Sequence, residues 1–326
     1  MRHALHRLGF FVVTLWACVT LNFVLPRLMP GSPILDMMAK YRGHVTQKAL
    51  EAIETAFGIE THASLLTQYW QYLGNTARGN FGISLTQSEP VSQVIGGAVW
   101  WTLGLIGVTT VLAFILGTLI GIVGAWRRGG WLDGILPPVF VITSSIPFFW
   151  VGMLLILLVG RFDPRFPTSG AYAYGTTPGF NWPFITDVLQ HALLPALAIL
   201  VTSIGGWILT MRNTMVTVLA EDYVRMARAK GLPGWRIMFD YAARNAMLPN
   251  LSGFAMSLGF VLSGAIVVEY LFSYQGVGYY LLLGVVNQDY ALVQALFLLI
   301  TVAVLVAILA ADLLTAVLDP RTRTGG

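Results

Sequence analysis

The side chains that could carry out catalysis are few and dispersed in this chain. None of its three lysines, Lys40, Lys48 and Lys230, follows a glycine, so the phosphate-binding loop GxxxxGK[ST] of ATPases is absent. The five histidines lack the spacing of metal ligands, and neither HExxH nor GxSxG occurs. The sequence therefore predicts no catalytic residue, no metal site and no ATPase site in this chain, and hydrolysis by an intramembrane Ser and His is left without a supporting motif.

One polar run has the residue types of a recognition element instead. It reads DYVRMARAKGLPGWRI, from Asp222 to Ile237, and it is set between long apolar stretches. Glu221 and Asp222 favour the start of a helix, and Gly231 with Pro233 just beyond it favours a stop. The pattern predicts a short helix that is exposed to an aqueous partner.

Such a helix of about two turns could lie at the membrane surface and enter a cleft on a soluble partner. Its candidate contact residues are apolar or basic: Tyr223, Met226 and Ala227, then Arg225, Arg228 and Lys230. Gly231 would let the chain reverse, and a second helical run is predicted from Trp235 to about Met247, before Pro249. The alternative is a solvated basic loop that binds anionic lipid, where each Lys or Arg contributes on the order of 1 kcal/mol.

The composition indicates what kind of protein surrounds this polar run. The 326 residues are 56% hydrophobic and 10% charged, whereas a soluble domain has about 25% charged residues. An integral membrane protein is therefore predicted. The net charge of +4 does not indicate nucleic-acid binding, because the basic residues are scattered around apolar stretches. Cys18 is the only cysteine, which excludes an internal disulfide and a cysteine metal cluster.

Six stretches are long enough to cross a bilayer core of about 30 Å, which takes roughly 20 helical residues. They lie near 8–29, 98–125, 132–160, 191–215, 250–272 and 292–317. The first has no small-residue cleavage site after it, so it is predicted to be a retained span. The predicted fold is an all-α integral membrane protein with six transmembrane helices. Its parts are an N-terminal region with the first span (1–29), an external helical cap (30–97) and a five-helix core (98–326) with a cytoplasmic loop at 217–249.

The distribution of basic residues predicts the orientation. With the N-terminus inside, 12 of the 19 Lys and Arg residues are cytoplasmic, and four of the other seven lie in the long external segment, where charge has little influence. Both termini are therefore predicted to be cytoplasmic. In the external segment, helices are predicted over Thr46 to Phe57 and within Ser64 to Gly79, where Leu65, Tyr69, Tyr72 and Leu73 share a face. Either they form a lid that packs on the spans, or they contact a soluble partner.

Polar side chains within the predicted spans are costly, with a charge at the bilayer centre costing about 3 kcal/mol or more. The candidates for a translocation pathway or for interior polar contacts are Asn22, Ser144, Ser145, Glu269 and Asp312. Glu269 is predicted to point inward. The alternative to substrate contact is hydrogen bonding between helices, and Pro147, Gly152 and Gly160 suit helix bending and close packing.

Many short motifs, in one order along nearly the whole chain, give it a family resemblance. They are MPGSP (29–33), QYWQYL (68–73), GNFGIS (79–84), HALLPA (191–196), DYVRMARAKGL (222–232), RNAMLPN (244–250), SGAIVVEYLFSYQGVGY (263–279), QDY (288–290) and LDPR (318–321). In these the chain resembles permease subunits of the dipeptide/oligopeptide branch of ATP-binding-cassette importers. It departs from the general importer loop, which has Glu-Ala-Ala where this chain has Arg225, Met226 and Ala227. It also departs from relatives that have Leu-Asp-x-Pro where this chain has Ile59, Glu60, Thr61 and His62.

The resemblance implies a type I importer permease fold in the cytoplasmic membrane of a prokaryote. It implies that Asp222, Tyr223, Arg225, Met226, Ala227, Arg228, Lys230 and Gly231 couple the chain to ATPase subunits. The implied partners are a second permease subunit, two cytosolic ATPases, an extracytoplasmic solute-binding protein and membrane lipid, with no nucleic acid. This chain would bind no cofactor, and ATP and Mg would be used by the partner ATPases.

The implied function is peptide import by alternating access. An oligosaccharide permease of the same branch is the alternative within the class. A secondary transporter or channel working alone is the alternative outside it, and a proton or ion relay there would need several intramembrane carboxylates.

Overall fold

The computed structural model describes residues 2–28, 64–160, 162–163, 165–263 and 266–318. These residues are mostly helical, as predicted, and one isolated β-bridge joins Ile83 and Pro90. The predictions for MPGSP, for a helix from Thr46 to Phe57 and for the arginines near the C-terminus lie outside the described residues.

Eleven helices occur in the described part of the chain. They are α1 (Arg2–Leu28), α2 (Leu65–Ala77), α3 (Val91–Trp126), α4 (Trp131–Ser145), α5 (Phe148–Leu155), α6 (Trp182–Leu219), α7 (Asp222–Ala229), α8 (Gly234–Arg236 continued by Ile237–Ala243 and Arg244–Gly259), α9 (Ile266–Leu271), α10 (Val277–Val286) and α11 (Tyr290–Leu318). π-Helical turns occupy Leu103–Gly107 in α3, Ile156–Gly160 at the end of α5 and Ile237–Ala243 in α8.

Three of these helices are long and apolar enough to cross a membrane, namely α3, α6 and Tyr290–Ala310 of α11. A fourth span is present if Asp133–Ser145 and Phe148–Gly160 are taken together, although these two helices meet at 88°. The apolar part of α1, Gly9–Val24, is shorter, and the span predicted at 250–272 is interrupted between α8 and α9. The count of six spans stays a prediction.

The helices belong to two compact units, and the first contains the chain up to Thr102, Leu262–Tyr270 and Gln275–Leu305. Its core is formed by apolar side chains from the start of α3, from α10 and from the start of α11: Val91, Val94, Ala98, Val277, Leu281, Leu292, Val293, Ala295 and Leu296. In the same unit α2 packs on α1, because Phe23 contacts the rings of Tyr69 and Tyr72 at centroid distances of 5.2 and 5.5 Å. Leu65 was predicted to share a face of α2 with Tyr69 and Tyr72, but its side chain is exposed.

The second unit contains Leu103–Val261, Leu271–Tyr274 and the chain from Val306 onward. It is centred on the packing of α3 against α6. Glycines make this approach possible, since a Cβ added at Gly121 would lie 2.8 Å from the carbonyl oxygen of Ile208. Phe114 stacks on Phe254 at 4.2 Å and meets Trp207 edge-on. Small residues at a helix crossing are the usual means of close packing in membranes.

Two predicted boundaries are wrong. The helix predicted to end near Met247 runs on through Pro249 to Gly259. Pro249 lacks an N–H, but Asn250 beside it is buried and donates to Thr118 Oγ1 at 3.0 Å, so tertiary packing outweighs the lost bond. The span predicted to begin at residue 98 begins earlier, at Val91, because Val91 and Val94 are buried in the first unit.

Candidate functional site

The polar run forms the helix predicted for it. Glu221 has an extended backbone at the N-cap, with φ −68° and ψ 148°, and α7 follows from Asp222 to Ala229. Asp222 lies in the first turn and Arg228 in the last. These charges complement the positive N-terminal and negative C-terminal ends of the helix dipole.

The end of α7 is a Schellman cap centred on Gly231. Its φ is +74°, the N–H of Gly231 donates to the carbonyl of Arg228 at 3.0 Å, and the N–H of Leu232 donates to that of Ala227 at 3.3 Å. This left-handed conformation is the one that glycine adopts without penalty. The predicted reversal of the chain at Gly231 is confirmed, and Pro233 follows it.

One side of α7 is buried in its own unit. Val224 is 0% and Ala227 is 2% exposed, and both pack with Ile237. Trp126, Val218, Leu219 and Leu232 surround this cluster. Ala227 was expected to contact a partner, but its burial gives it a different role, because its side chain holds the helix in place from within.

The side chains of α7 that flank this buried side or point away from it are exposed, and most are basic or apolar. Met226 is 59% and Tyr223 is 39% exposed, and Arg225, Arg228 and Lys230 are exposed beside them. The ion pair between Arg225 and Asp222, at 3.5 Å, joins two largely exposed side chains and adds little stability. We call the side chains of Tyr223, Arg225, Met226, Arg228 and Lys230 the coupling face.

Two contacts orient the coupling face. Asn245 Nδ2 donates to the Tyr223 hydroxyl at 3.0 Å, and the Arg228 guanidinium lies over the Trp126 ring at 5.8 Å. These contacts tie both ends of α7 to longer helices of the same unit, α8 and α3.

Exposed aromatic residues at the start of α8 continue this surface, and the sequence reasoning did not assign them. Trp235 is 60% and Phe239 is 42% exposed. The Arg236 guanidinium lies over the Trp235 ring at 5.4 Å, and Gly234 lies against Trp126. The signal in the sequence was the GWRIMF segment at residues 234–239, in which Trp235, Arg236 and Phe239 flank the buried Ile237.

Glu269 is fully buried, as the expectation that it points inward requires. Its Oε1 accepts from Thr102 Oγ1 at 2.7 Å, and its Oε2 accepts from the N–H groups of Gly278 at 2.7 Å and Tyr279 at 3.3 Å. The N–H of Val277 donates to Thr102 Oγ1 at 2.8 Å. The carboxylate therefore satisfies the free N–H groups at the start of α10 and joins them to α3.

Asp289 repeats this arrangement at the start of α11, and the sequence reasoning missed it. It is fully buried, and its Oδ2 accepts from Ser84 Oγ at 2.5 Å and from the N–H of Thr86 at 2.9 Å. Its Oδ1 accepts from the N–H of Leu292 at 3.2 Å. An Asp directly before an apolar helical run was the available signal, because Asp is a preferred N-cap residue.

Asn22 is buried between α1, α2 and α11. It donates to the carbonyl of Gln294 at 2.5 Å and to the Tyr72 hydroxyl at 3.2 Å. Burial raises the pKa of the Tyr72 hydroxyl, and the hydrogen bond from Asn22 partly counteracts this rise. The contacts of Asn22 are with protein groups within the first unit.

Ser144 and Ser145 lie at the bend between α4 and α5. Both side chains are exposed, and both donate to the carbonyl of Val141, at 3.1 and 2.7 Å. Hydrogen bonds from serine to the preceding turn favour helix bending. Asp312 lies in α11, and its side chain is outside the described part of the structure. Asn22 and Glu269 belong to the first unit, whereas Ser144 and Ser145 belong to the second.

An ion pair at the start of α4 was not anticipated. Arg212 donates from Nε to Asp133 Oδ1 at 2.9 Å, with a further short contact from Nη2, and the side chains are 18% and 15% exposed. The pair links α6 to α4. The residues that the structure describes contain no group of three His, Cys, Asp or Glu side chains placed to bind a metal ion.

Comparison with known proteins gives consistent matches. The model of the family "Binding-protein-dependent transport system inner membrane component" matches residues 117–324. The chain is 33% identical to the di/tripeptide transport system permease protein DppB of Pseudomonas aeruginosa (strain UCBPP-PA14), with 97% of each chain covered. It is 32% identical to the oligopeptide transport system permease protein AppB of Bacillus subtilis (strain 168), with 92% of each covered, and 31% identical to the dipeptide transport system permease protein DppB of Escherichia coli (strain K12), with 99% of each covered.

Proposed function

This chain belongs to the family of inner membrane components of binding-protein-dependent transport systems, and on that basis we propose that it is a permease subunit of an ATP-binding-cassette importer for peptides. The relatives that match it over nearly their full length are named as di- and oligopeptide permeases, which favours peptides over oligosaccharides as solute. This full-length match is the observation that carries the proposal.

Two interior carboxylates, Glu269 and Asp289, favour this proposal over a secondary transporter. A proton or ion relay needs carboxylates that face a water-filled path. Glu269 and Asp289 are instead fully enclosed, and their oxygens accept hydrogen bonds at the starts of α10 and α11. They hold helices together and leave the driving force to partner subunits.

Coupling to those partners is assigned to α7. We propose that the coupling face enters a cleft on a cytosolic ATPase subunit, with Met226 and Tyr223 as apolar contacts and the three basic residues as charged ones. Val224, Ala227 and Gly231 keep the helix in position from the other side. Two ATPases that close on ATP and Mg would displace α7, and its contacts with α3 and α8 would carry that displacement into the spans.

The remaining partners and the orientation complete the proposal. A second permease chain would line the pathway with this one, and an extracytoplasmic binding protein would deliver the peptide. Both termini and α7 would lie in the cytoplasm, as the distribution of Lys and Arg predicts.

Two adjacent residues of α7 provide a matched test. In a Cys18→Ser background, Met226→Cys should form a cross-link to the ATPase subunit in the assembled complex, because the side chain at this position is 59% exposed. Ala227→Cys should form none, because that position is 2% exposed. In sealed cells that make the permease without its ATPase subunits, an impermeant thiol reagent should fail to label Met226→Cys and should label it after permeabilisation.

Two results would contradict the assignment. Labelling of Met226→Cys in sealed cells would place α7 outside. Cross-linking of both cysteines, or of neither, in a complex with full transport activity would show that α7 does not dock by the coupling face.

A further inference from the structure

A groove on the first unit lies between the C-terminal end of α1 and the start of α2. Its volume is about 360 Å³, and the residues that line it are Thr20, Phe23, Val24, Leu65, Leu66 and Tyr69. The two hydroxyl groups in this lining, those of Thr20 and Tyr69, are hydrogen-bonded to each other at 2.7 Å, so the surface that remains is apolar. We call this cavity the α1–α2 groove, and apolar surface of this kind suits an apolar occupant.

The guanidinium of Arg27 lies beside this groove. Its Cζ is 3.6 Å from the centroid of the Phe23 ring. Nη1 donates to the carbonyl of Phe23 at 2.8 Å, and Nε and Nη2 donate to Gln68 Oε1 at 3.3 and 3.2 Å. Within the described part of the chain these contacts fix the guanidinium with three of its five N–H groups, which leaves two for a further acceptor.

The position of Arg27 along α1 matches the depth of a lipid phosphate. The apolar part of α1 ends at Val24, and Arg27 follows three residues later. At about 1.5 Å per residue this places Arg27 roughly 4 to 5 Å beyond the hydrocarbon core, within a headgroup region that is about 5 to 8 Å deep on each side. Thr20 and Phe23 precede Val24 and lie at the depth of the acyl chains. This leaflet is the outer one in the predicted orientation.

The exposed side of α2 is also suited to the membrane interface. Leu65 and Leu66 are each 68% exposed and Trp70 is 65% exposed, and α2 has no buried residue. A short helix whose apolar side chains are left uncovered by its own unit is typical of helices that lie in the interface plane. A lipid can therefore reach the α1–α2 groove from the bilayer.

The charge of Arg27 selects among lipid headgroups. Neither α1 nor α2 contains Asp or Glu, and the ion pairs among the described residues involve other basic side chains. A guanidinium binds two phosphate oxygens with parallel hydrogen bonds. A headgroup that adds an ammonium group would find no carboxylate on these two helices, so the charges favour a lipid with a net negative charge.

We propose that the α1–α2 groove is a binding site for one anionic phospholipid, with its phosphate on Arg27 and an acyl chain along Phe23, Val24 and Leu66. The site is separate from the coupling face and takes neither the solute nor a subunit, so it goes beyond the proposed function. The bound lipid joins α2 to α1, in addition to the ring contacts of Phe23.

The test uses the purified full-length chain, with the subunits that co-purify with it, in nanodiscs of phosphatidylcholine. The probes are phosphatidylglycerol and phosphatidylcholine that carry the same photoreactive group on one acyl chain. Cross-links should map to α1 and α2 at the groove, and phosphatidylglycerol should give about fivefold more of them, as expected for one basic residue beside an anionic headgroup. Equal yields from the two lipids, or cross-links confined to other helices, would overturn the inference.

Two arginine substitutions separate the site from the general charge of the protein. Arg27→Gln should abolish the preference for phosphatidylglycerol while the groove still cross-links both lipids, and Arg27→Lys should retain part of the preference. Arg78→Gln is the matched control, because Arg78 is exposed at the C-cap of α2 and does not line the groove. It should leave the ratio unchanged. An equal loss of preference in Arg27→Gln and Arg78→Gln would refute a site at Arg27.

Two further measurements identify the occupant. Glycerophosphoglycerol, which has the same headgroup without acyl chains, should not reduce the cross-linking, and competition by it would show that Arg27 binds phosphate without the groove. A photoreactive phenylalanine analogue at Leu66 should cross-link to lipid. Cross-links from this position to a protein subunit instead would show that a protein covers the groove, and the inference would fail.

Discussion

Replacing Gly231 should uncouple the importer in proportion to the backbone strain that each side chain introduces. The position is informative because a Cβ added there would meet no other atom within 4 Å, while φ is +74°. A substitution therefore introduces no clash with neighbouring residues. Its effect comes from the left-handed backbone, which two hydrogen bonds of the Schellman cap require.

The size of the effect follows from this geometry. An ordinary L residue pays roughly 1 to 2 kcal/mol in the left-handed region, a β-branched residue pays more, and Asn pays little. Since about 1.4 kcal/mol is a factor of ten, Gly231→Ala should lower the ratio of capped to uncapped helix by about 5- to 30-fold. An eight-residue helix has little stability of its own, so α7 cannot absorb this loss.

The assay is ATPase stimulation and peptide uptake by the complete importer in proteoliposomes. Activity should decrease in the order Gly231, Gly231→Asn, Gly231→Ala, Gly231→Val, with Gly231→Val at least about tenfold below wild type. Gly129→Val is the matched control, because Gly129 also has open space and a φ of +83° but lies before α4. Equal losses in Gly129→Val and Gly231→Val, or a Gly231→Asn variant as inactive as Gly231→Val, would refute the reasoning.

Two further predictions concern buried polar contacts, each measured by the thermal unfolding midpoint of the purified complex. Thr102→Val should destabilise the complex by about 1 to 3 kcal/mol, because the substitution leaves the Val277 N–H unpaired and removes a donor from Glu269. Thr102→Ser should retain both bonds. Equal midpoints for the two variants would contradict this role of Thr102. Asp133→Asn and Arg212→Gln should each lower the midpoint, and the double variant should lower it by less than their sum, with a coupling of about 0.5 to 3 kcal/mol; strictly additive losses would show that the pair contributes no stability.

The sequence predicted what depends on local signals. The start of α7 at Asp222 and its reversal at Gly231 follow from capping preferences within a few residues, and the structure has both. The buried side of α7 was not predictable, because which face an eight-residue helix presents depends on Trp126 and Ile237 elsewhere in the chain.

The same limit explains the interior polar groups. Glu269 could be predicted to point inward because an unpaired charge in lipid is costly. Its partner Thr102 lies 167 residues away along the chain, and Thr is common in transmembrane helices, so no pattern joined the two. The continuation of α8 through Pro249 was missed for a related reason, since Asn250 beside it is buried against Thr118, 132 residues distant.

The pairing of Asp289 with Ser84 has a consequence for the order of events during synthesis. These residues are 205 positions apart, so Asp289 is synthesised long after its hydroxyl partner Ser84. Until they meet, Ser84 and the start of α11 each carry polar groups without their final partners. The first unit therefore cannot finish folding while the chain is being synthesised, and its folding is completed only after α11 has been inserted. A chain truncated before residue 289 would therefore contain the early helices without the carboxylate that Ser84 and Thr86 bind.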